Sequence, residues 1–181
     1  DFVGDSLVIN NGTFIGGKAG TKDGGAEGKK GFGITWRVVG NSESELNING
    51  GNVYRGIYIS KEDTSLLDFS VSTNATFSGK IKTSGSGTLR VNDWQADTLQ
   101  ELEIADGTVL FTDRYVLGAG GTGSLLSASA VLVASNGLEV AGQLYGVSES
   151  TVQVYSDMTL VGTLSGAFDV ELMSMTNSIT L

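Results

Sequence analysis

The chain has 181 residues, with 27 glycines and no proline, cysteine or histidine, and it carries a net charge of −9. Without thiols or imidazoles it forms no disulfide, no Cys/His zinc site and no Ser-His or Cys-His nucleophile pair of its own. The acidic surface repels phosphate backbones, and no apolar run reaches the roughly 18 residues of a membrane span, so the sequence predicts neither nucleic-acid binding nor a membrane-spanning segment.

Short segments in which apolar and polar residues alternate follow one another along most of the chain. This period-two alternation is typical of strands that bury one face. The apolar members are Leu7/Ile9, Ile34/Trp36/Val38, Leu46/Ile48, Ile57/Ile59, Leu67/Phe69/Val71, Leu89/Val91, Val131/Val133, Leu138/Val140, Val152/Val154 and Leu160. WQADTLQELEI, from Trp94 to Ile104, is the best candidate for a helical turn, although its leucines also fit a strand.

Glycine-containing corners separate these segments and partly repeat. INNGTF at 9–14, INGGNV at 48–53 and IADGTV at 104–109 share an inward Ile, polar residues, a Gly and a following apolar residue, and VASNGLEV at 133–140 is a looser version. The intervals are uneven, so the repeat is degenerate, and short strands with irregular insertions suit a parallel β-solenoid of the single-stranded β-helix type. An antiparallel β-sandwich is the second choice, because the two-residue hairpin turns expected of it do not occur consistently. About 22–28 residues a coil would give roughly six to eight coils.

The sequence predicts a single β-solenoid domain over residues 1–181. The glycine-dense, mixed-charge stretch at about 17–33 is predicted to be a surface loop inserted between two strands, and GAGGTGS at 118–124 to be another corner. Because strand-like sequence runs almost to both ends, we expect one or both ends to continue into further coils or a neighbouring subunit, as part of a longer chain or an assembly.

Motifs for catalysis, cofactors and metals are incomplete, so we predict no catalytic residue, cofactor or metal ligand. Gly28-Lys29-Lys30 lacks the Ser/Thr of a phosphate-binding loop, and GGTGS at 120–124 lacks the Asp of the calcium-binding nonapeptide. A glycosidase needs two facing carboxylates. The acidic candidates are Glu62-Asp63, Glu101/Glu103 and Asp106. They are predicted instead to be solvated side chains, and Lys61 is predicted to lie beside Glu62-Asp63 in a turn.

Two triplets fit the N-glycosylation pattern. They begin at Asn11, in Asn-Gly-Thr, and at Asn74, in Asn-Ala-Thr. The pattern has meaning only in a secreted eukaryotic protein, and a chain this rich in Asn, Ser and Thr also produces such triplets by chance.

The succession of strand-like segments and glycine-containing corners resembles the sequences of right-handed parallel β-helix proteins. SLVINNGTFIGG and SELNINGGNVYRGIYIS are similar to pectate-lyase-type coils, whereas SGKIKTSGSGTLRVN, EIADGTVLFT and SNGLEVAGQL are similar to autotransporter passenger domains and surface adhesins. Enzymes of this fold use clustered Asp for calcium with an Arg or Lys base, or paired Asp acids. Arg37, Arg55, Arg90 and Arg114 lie in no such motif.

The resemblance therefore implies a non-enzymatic, extracellular or cell-surface β-solenoid with a structural or adhesive role. The expected partners are other copies or further coils at the solenoid ends, and cell-surface glycans or surface proteins of a host or neighbour. The alternative is a polysaccharide-binding or polysaccharide-cleaving module. Aromatic residues grouped on one outer face would favour that alternative, and their burial would favour the structural role; these residues are Trp36, Tyr54, Tyr58, Trp94 and Tyr115.

Overall fold

A computed structural model describes residues 2–3, 6–16, 31–38, 43–62, 65–94, 101–118, 123–174 and 178–181. All regular secondary structure within these ranges is β-strand. The strands are β1 (Phe2–Val3), β2 (Ser6–Ile9), β3 (Thr13–Ile15), β4 (Ile34–Val38), β5 (Glu43–Ile48), β6 (Gly51–Tyr54), β7 (Ile57–Lys61), β8 (Leu66–Val71), β9 (Ala75–Phe77), β10 (Lys80–Ser84), β11 (Thr88–Trp94), β12 (Glu101–Ile104), β13 (Thr108–Phe111), β14 (Tyr115–Leu117), β15 (Gly123–Leu126), β16 (Val131–Ala134), β17 (Leu138–Val140), β18 (Gln143–Gly146), β19 (Thr151–Val154), β20 (Met158–Leu160), β21 (Thr163–Gly166), β22 (Asp169–Leu172) and β23 (Ile179–Thr180).

These strands wind into a parallel β-solenoid. Sheet 1 has the order β1-β4-β7-β10-β12-β15-β18-β21, and sheet 2 has the order β2-β5-β8-β11-β13-β16-β19-β22. The third wall is sheet 3 (β3-β6-β9) and sheet 4 (β14-β17-β20-β23). Strands that neighbour each other in a sheet come from successive coils and run parallel, which confirms the predicted solenoid and rules out the antiparallel sandwich.

Each coil takes one strand from each wall in turn, except that the described residues of the fourth coil supply strands to sheets 1 and 2 only. The coils are the first (β1–β3), second (β4–β6), third (β7–β9), fourth (β10–β11), fifth (β12–β14), sixth (β15–β17), seventh (β18–β20) and eighth (β21–β23). A coil is therefore the unit in which the stacking of side chains is described below.

Paired residues in sheet 2 give the length of each coil. Leu7 pairs with Leu46, 39 positions later, and Leu46 pairs with Phe69, 23 positions later. Later pairs are closer in sequence: Ala134 and Val154 are 20 positions apart. Of the seven steps in sheet 2, three are shorter than the predicted 22–28 residues, three lie within that range and the first is longer. The loop predicted at 17–33 falls in the long first coil, and residues 17–30 lie outside the described residues.

Inward side chains stack in columns along the solenoid and form one apolar core. In sheet 2, Leu46, Phe69, Val91, Phe111 and Ala134 follow one another in register, and each is buried. Full burial of one such aliphatic or aromatic side chain contributes about 1.5–3 kcal/mol to folding. These columns hold successive coils together through contacts between adjacent coils.

The structure corrects the inward face of one predicted strand and decides between two alternatives for another segment. Val131 and Val133 were predicted to face inward, but Leu132 and Ala134 are the buried residues of β16. The segment from Trp94 to Ile104 is the candidate helical turn whose leucines also fit a strand. Trp94 ends β11 and Glu101–Ile104 form β12, so the strand alternative is confirmed for the described residues. Residues 95–100 of that segment lie outside the described residues.

The repeated corner motif occurs at two different places in the coil. INNGTF and INGGNV both connect sheet 2 to sheet 3 and stack on each other, because the Asn49 N–H donates to the Ile9 carbonyl at 2.7 Å. IADGTV instead connects β12 in sheet 1 to β13 in sheet 2. Similar sequences therefore make different corners of the solenoid.

Candidate functional site

Outward carboxylates form ion pairs that join neighbouring coils. Glu62 accepts from Arg37 at 2.7 Å, and Glu103 binds both Lys80 and Lys82. Burial raises the pKa of Glu103, but the hydrogen bonds from the two lysines outweigh it, so its pKa lies below the usual range. These candidate acids are therefore engaged in cross-coil pairs.

The remaining carboxylate candidates do not come together as a facing pair in the described part of the chain. Glu101 lies on the outward face of β12 with Glu103, as predicted. Asp106 is exposed at the next corner, where its Oδ1 accepts from the Gly107 N–H at 2.7 Å. Asp63 lies outside the described residues.

The best-defined ion pair was not among the sequence candidates. Asp68 on β8 receives two hydrogen bonds from Arg90 on β11, Nε to Oδ1 at 2.5 Å and Nη2 to Oδ2 at 2.6 Å. Asn92 adds a third at 2.8 Å. The Arg90 hydrogen bonds are the main reason that the pKa of Asp68 is lowered. Sequence alone gives no signal for this pair, because 22 residues separate its members.

Both glycosylation triplets lie at exposed corners that connect sheet 2 to sheet 3. Asn11 follows β2, and its Oδ1 accepts from the Gly12 N–H at 2.8 Å. Asn74 follows β8 two coils later, and its side chain is also exposed. Both asparagines are therefore accessible to solvent, and their glycosylation stays a prediction.

The aromatic residues that could form a sugar-binding face are dispersed. Trp36 and Tyr115 are buried, whereas Tyr54 is exposed on sheet 3. Tyr58 points outward from sheet 1, where its hydroxyl lies 2.7 Å from Ser84 Oγ and its ring stacks on Phe32. The side chain of Trp94 lies outside what the structure describes. The described aromatic candidates therefore share no single outer face.

Lys61 is the polar residue that sequence reasoning misplaced. It was predicted to lie in a turn, but it is the last residue of β7 and has an exposed fraction of 0%. Its Nζ donates to the Thr108 carbonyl at 3.1 Å. Burial lowers the pKa of the Lys61 amine to about 8, although the negative charge of Asp106 acts in the opposite direction. Continuing the alternation of Ile57 and Ile59 by one step would have placed Lys61 inward.

Two glycines give this lysine its space. Lys61 belongs to the third coil and Thr108 to the fifth, so the side chain passes the fourth coil at the corner between β10 and β11. A Cβ on Gly85 would lie 1.7 Å from the Lys61 carbonyl oxygen, and a Cβ on Gly87 would lie 3.0 Å from Lys61 Cβ. The fourth coil can pass the lysine because both positions lack side chains.

In the part of the chain that the structure describes, no group of three or more Asp or Glu residues is placed to hold a metal ion. No helix among the described residues is long and apolar enough to cross a membrane.

The fold defines the chain as a parallel β-solenoid protein. Comparison with protein-family profiles, curated proteins and solved structures found no match.

Proposed function

We propose that this chain is a non-enzymatic, extracellular or cell-surface β-solenoid that serves as a building block of a fibre, filament or adhesin. The observation that carries the proposal is the distribution of exposed apolar residues. Among the residues that the structure describes, eight of the eleven exposed large hydrophobic residues belong to the first coil, the eighth coil or the corner that enters it. They are Val3, Val8, Ile15, Val161, Leu172, Met173, Ile179 and Leu181.

The outermost strands add hydrogen-bonding capacity to this apolar surface. Within the described residues, β1, β2 and β3 pair on one side only, and so do β21, β22 and β23. An unpaired strand edge presents a row of free N–H and C=O groups that can receive another strand. The two ends are therefore suited to stacking on a second copy or on further coils.

Dimensions support a building block rather than a complete stalk. With about 4.8 Å between neighbouring strands, eight stacked strands extend about 35 Å. The dispersed aromatic residues support the structural role over the polysaccharide-binding alternative. The proposed cell-surface location, and glycans or surface proteins as adhesive partners, rest on the resemblance of the coils to surface adhesins.

Association through the ends is tested by light scattering and electron microscopy over a range of protein concentrations. We expect the mass to rise with concentration and short rods to lengthen by end-on addition. Leu172→Lys places a charge on the outermost strand of sheet 2 and should weaken association at least about tenfold, since a buried unpaired charge is costly.

The matched control is Val133→Lys, an outward substitution on the sixth coil of the same sheet. It should leave association unchanged because its strand is paired on both sides. A discrete monomer at every concentration, or equal loss of association in both variants, would contradict the assembly proposal.

A further inference from the structure

We propose that Lys61 is a pH-responsive element built into the core, which strengthens the stacking of the third to fifth coils when its amine is neutral and weakens it when the amine is charged. The position of this residue is unusual for a lysine. Its side chain is fully buried at the last residue of β7, in a core whose buried side chains are mostly apolar, with Ser65 and Thr83 among the few polar ones. A lysine that is buried without a paired charge is rare in proteins.

The contacts of Lys61 connect three successive coils. Neighbouring coils are about 4.8 Å apart, and the lysine bridges two such steps by extending past Gly85 and Gly87 to the Thr108 carbonyl. A Cβ on Gly87 would crowd the start of the lysine side chain, and a Cβ on Gly85 would collide with the Lys61 carbonyl oxygen. Any change in the free energy of the amine is therefore transmitted to the stacking of these coils.

The surroundings of the amine disfavour its charged form. Among the described residues, Thr108 O is the hydrogen-bond acceptor of an ammonium that has three N–H donors. Asp106 on the corner before β13 is the charged group whose field favours the ammonium, but Asp106 is itself exposed. The adjacent Glu62 is held by Arg37. Water solvates the charge better than this environment, so unfolding favours protonation.

The sign of the pH effect follows from linkage. The pKa of Lys61 is about 8 in the folded protein and 10.5 for an ordinary lysine, so between these values the unfolded chain binds more protons. Stability therefore rises as the pH increases through this range. It levels off at its lower value below about pH 8, where the amine is protonated in both states. The chain has no histidine and no cysteine, whose ordinary pKa values are about 6.5 and 8.5, so neither residue type contributes to a change in stability between pH 7 and pH 9.

Chemical denaturation of the full chain at pH 7 and pH 9 tests the proposal. The two pKa values predict that the unfolding equilibrium constant is about tenfold smaller at pH 9 than at pH 7. Lys61→Met keeps a long flexible side chain without the amine and should abolish this difference. Lys82→Met, which removes a half-exposed lysine on the adjacent β10, should retain it.

Measurements on the unmodified protein keep the proposal testable if Lys61→Met fails to fold. The Lys61 Cε resonance should titrate with a midpoint near pH 8, and Nζ should resist reductive methylation under conditions that modify Lys80 and Lys82. An ordinary lysine midpoint, methylation as fast as that of Lys82, or an unchanged pH dependence in Lys61→Met would overturn it.

Discussion

At the scale of single residues, the close approach of successive coils depends on particular glycines. Gly56 connects β6 to β7 with a φ of +75°, a left-handed conformation that side chains with a Cβ rarely adopt. A Cβ at this position would lie 1.9 Å from the Lys80 carbonyl oxygen on the next coil. The backbone conformation and the short distance between coils therefore both require glycine here, and no flexible side chain can move to make room.

Gly56→Ala should consequently destabilise the protein strongly. The left-handed conformation alone costs about 1–2 kcal/mol with a Cβ, and the collision with backbone of the next coil adds to it, so we expect a loss of about 3 kcal/mol or more. Gly123→Ala is the control, because among the described residues its Cβ would meet only Gln143 Oε1 at 3.9 Å, and its φ is not left-handed. The free energy of unfolding, measured with denaturant, should change by less than about 0.5 kcal/mol in the control. Equal effects of the two substitutions would contradict this account.

At the scale of strands, cross-coil polar pairs reinforce a register that the buried columns establish. Asp68 and Arg90 face each other between β8 and β11, and the adjacent inward pairs Leu67/Leu89 and Phe69/Val91 are in the same register. A shift by one residue would separate the ion pair and turn every inward side chain of the strand outward. The pair therefore favours the same alignment as the core.

Asp68→Asn should lower the free energy of unfolding by about 0.5–1 kcal/mol at neutral pH, a modest value because the pair is partly solvated. The folded pKa of Asp68 is lowered, so its contribution is present above the ordinary carboxyl pKa and is lost as pH falls through the folded value. Denaturation at pH 7 and at pH 3 measures the difference. Glu62→Gln, in the more exposed pair with Arg37, should cost less than about 0.5 kcal/mol. A loss for Asp68→Asn that does not diminish at low pH would contradict the ionic explanation.

Sequence predicts the strands better than it predicts which way they face or what lies inside. Alternation locates Ile57 and Ile59 on the inward face, since their neighbours Tyr58 and Ser60 are polar enough to mark the outside. In VLVA at 131–134 both faces are apolar, so the alternation cannot distinguish them, and the columns of the adjacent coils decide that Leu132 is buried. The charge of Lys61 also favoured a prediction on the surface, because a charged side chain rarely lies in a core unless neighbouring coils leave a space for it. That space is created by glycines more than 20 positions later.

At the scale of the whole molecule, each coil stabilises mainly its immediate neighbours. The two long sheets join coils only in sequence order, so stability is expected to vary along the solenoid as in other repeat structures. The fifth to seventh coils bury Val109, Leu132 and Val152 in one column, whereas Val170 at the same position of the eighth coil is only half-buried. The eighth coil therefore has less apolar burial to oppose local opening.

Hydrogen exchange followed by mass spectrometry should show this gradient. At a dilution that prevents association, amides of β21 and β22 should exchange at least about tenfold faster than those of β13 and β16, because their local opening exposes less buried surface. Leu164→Ala on β21 should speed exchange in the seventh and eighth coils and leave the second and third unchanged. The matched substitution Leu102→Ala, at an equivalent inward position of β12, should act on the fourth to sixth coils. Uniform acceleration along the whole chain in both variants would show instead that the solenoid opens as one cooperative unit.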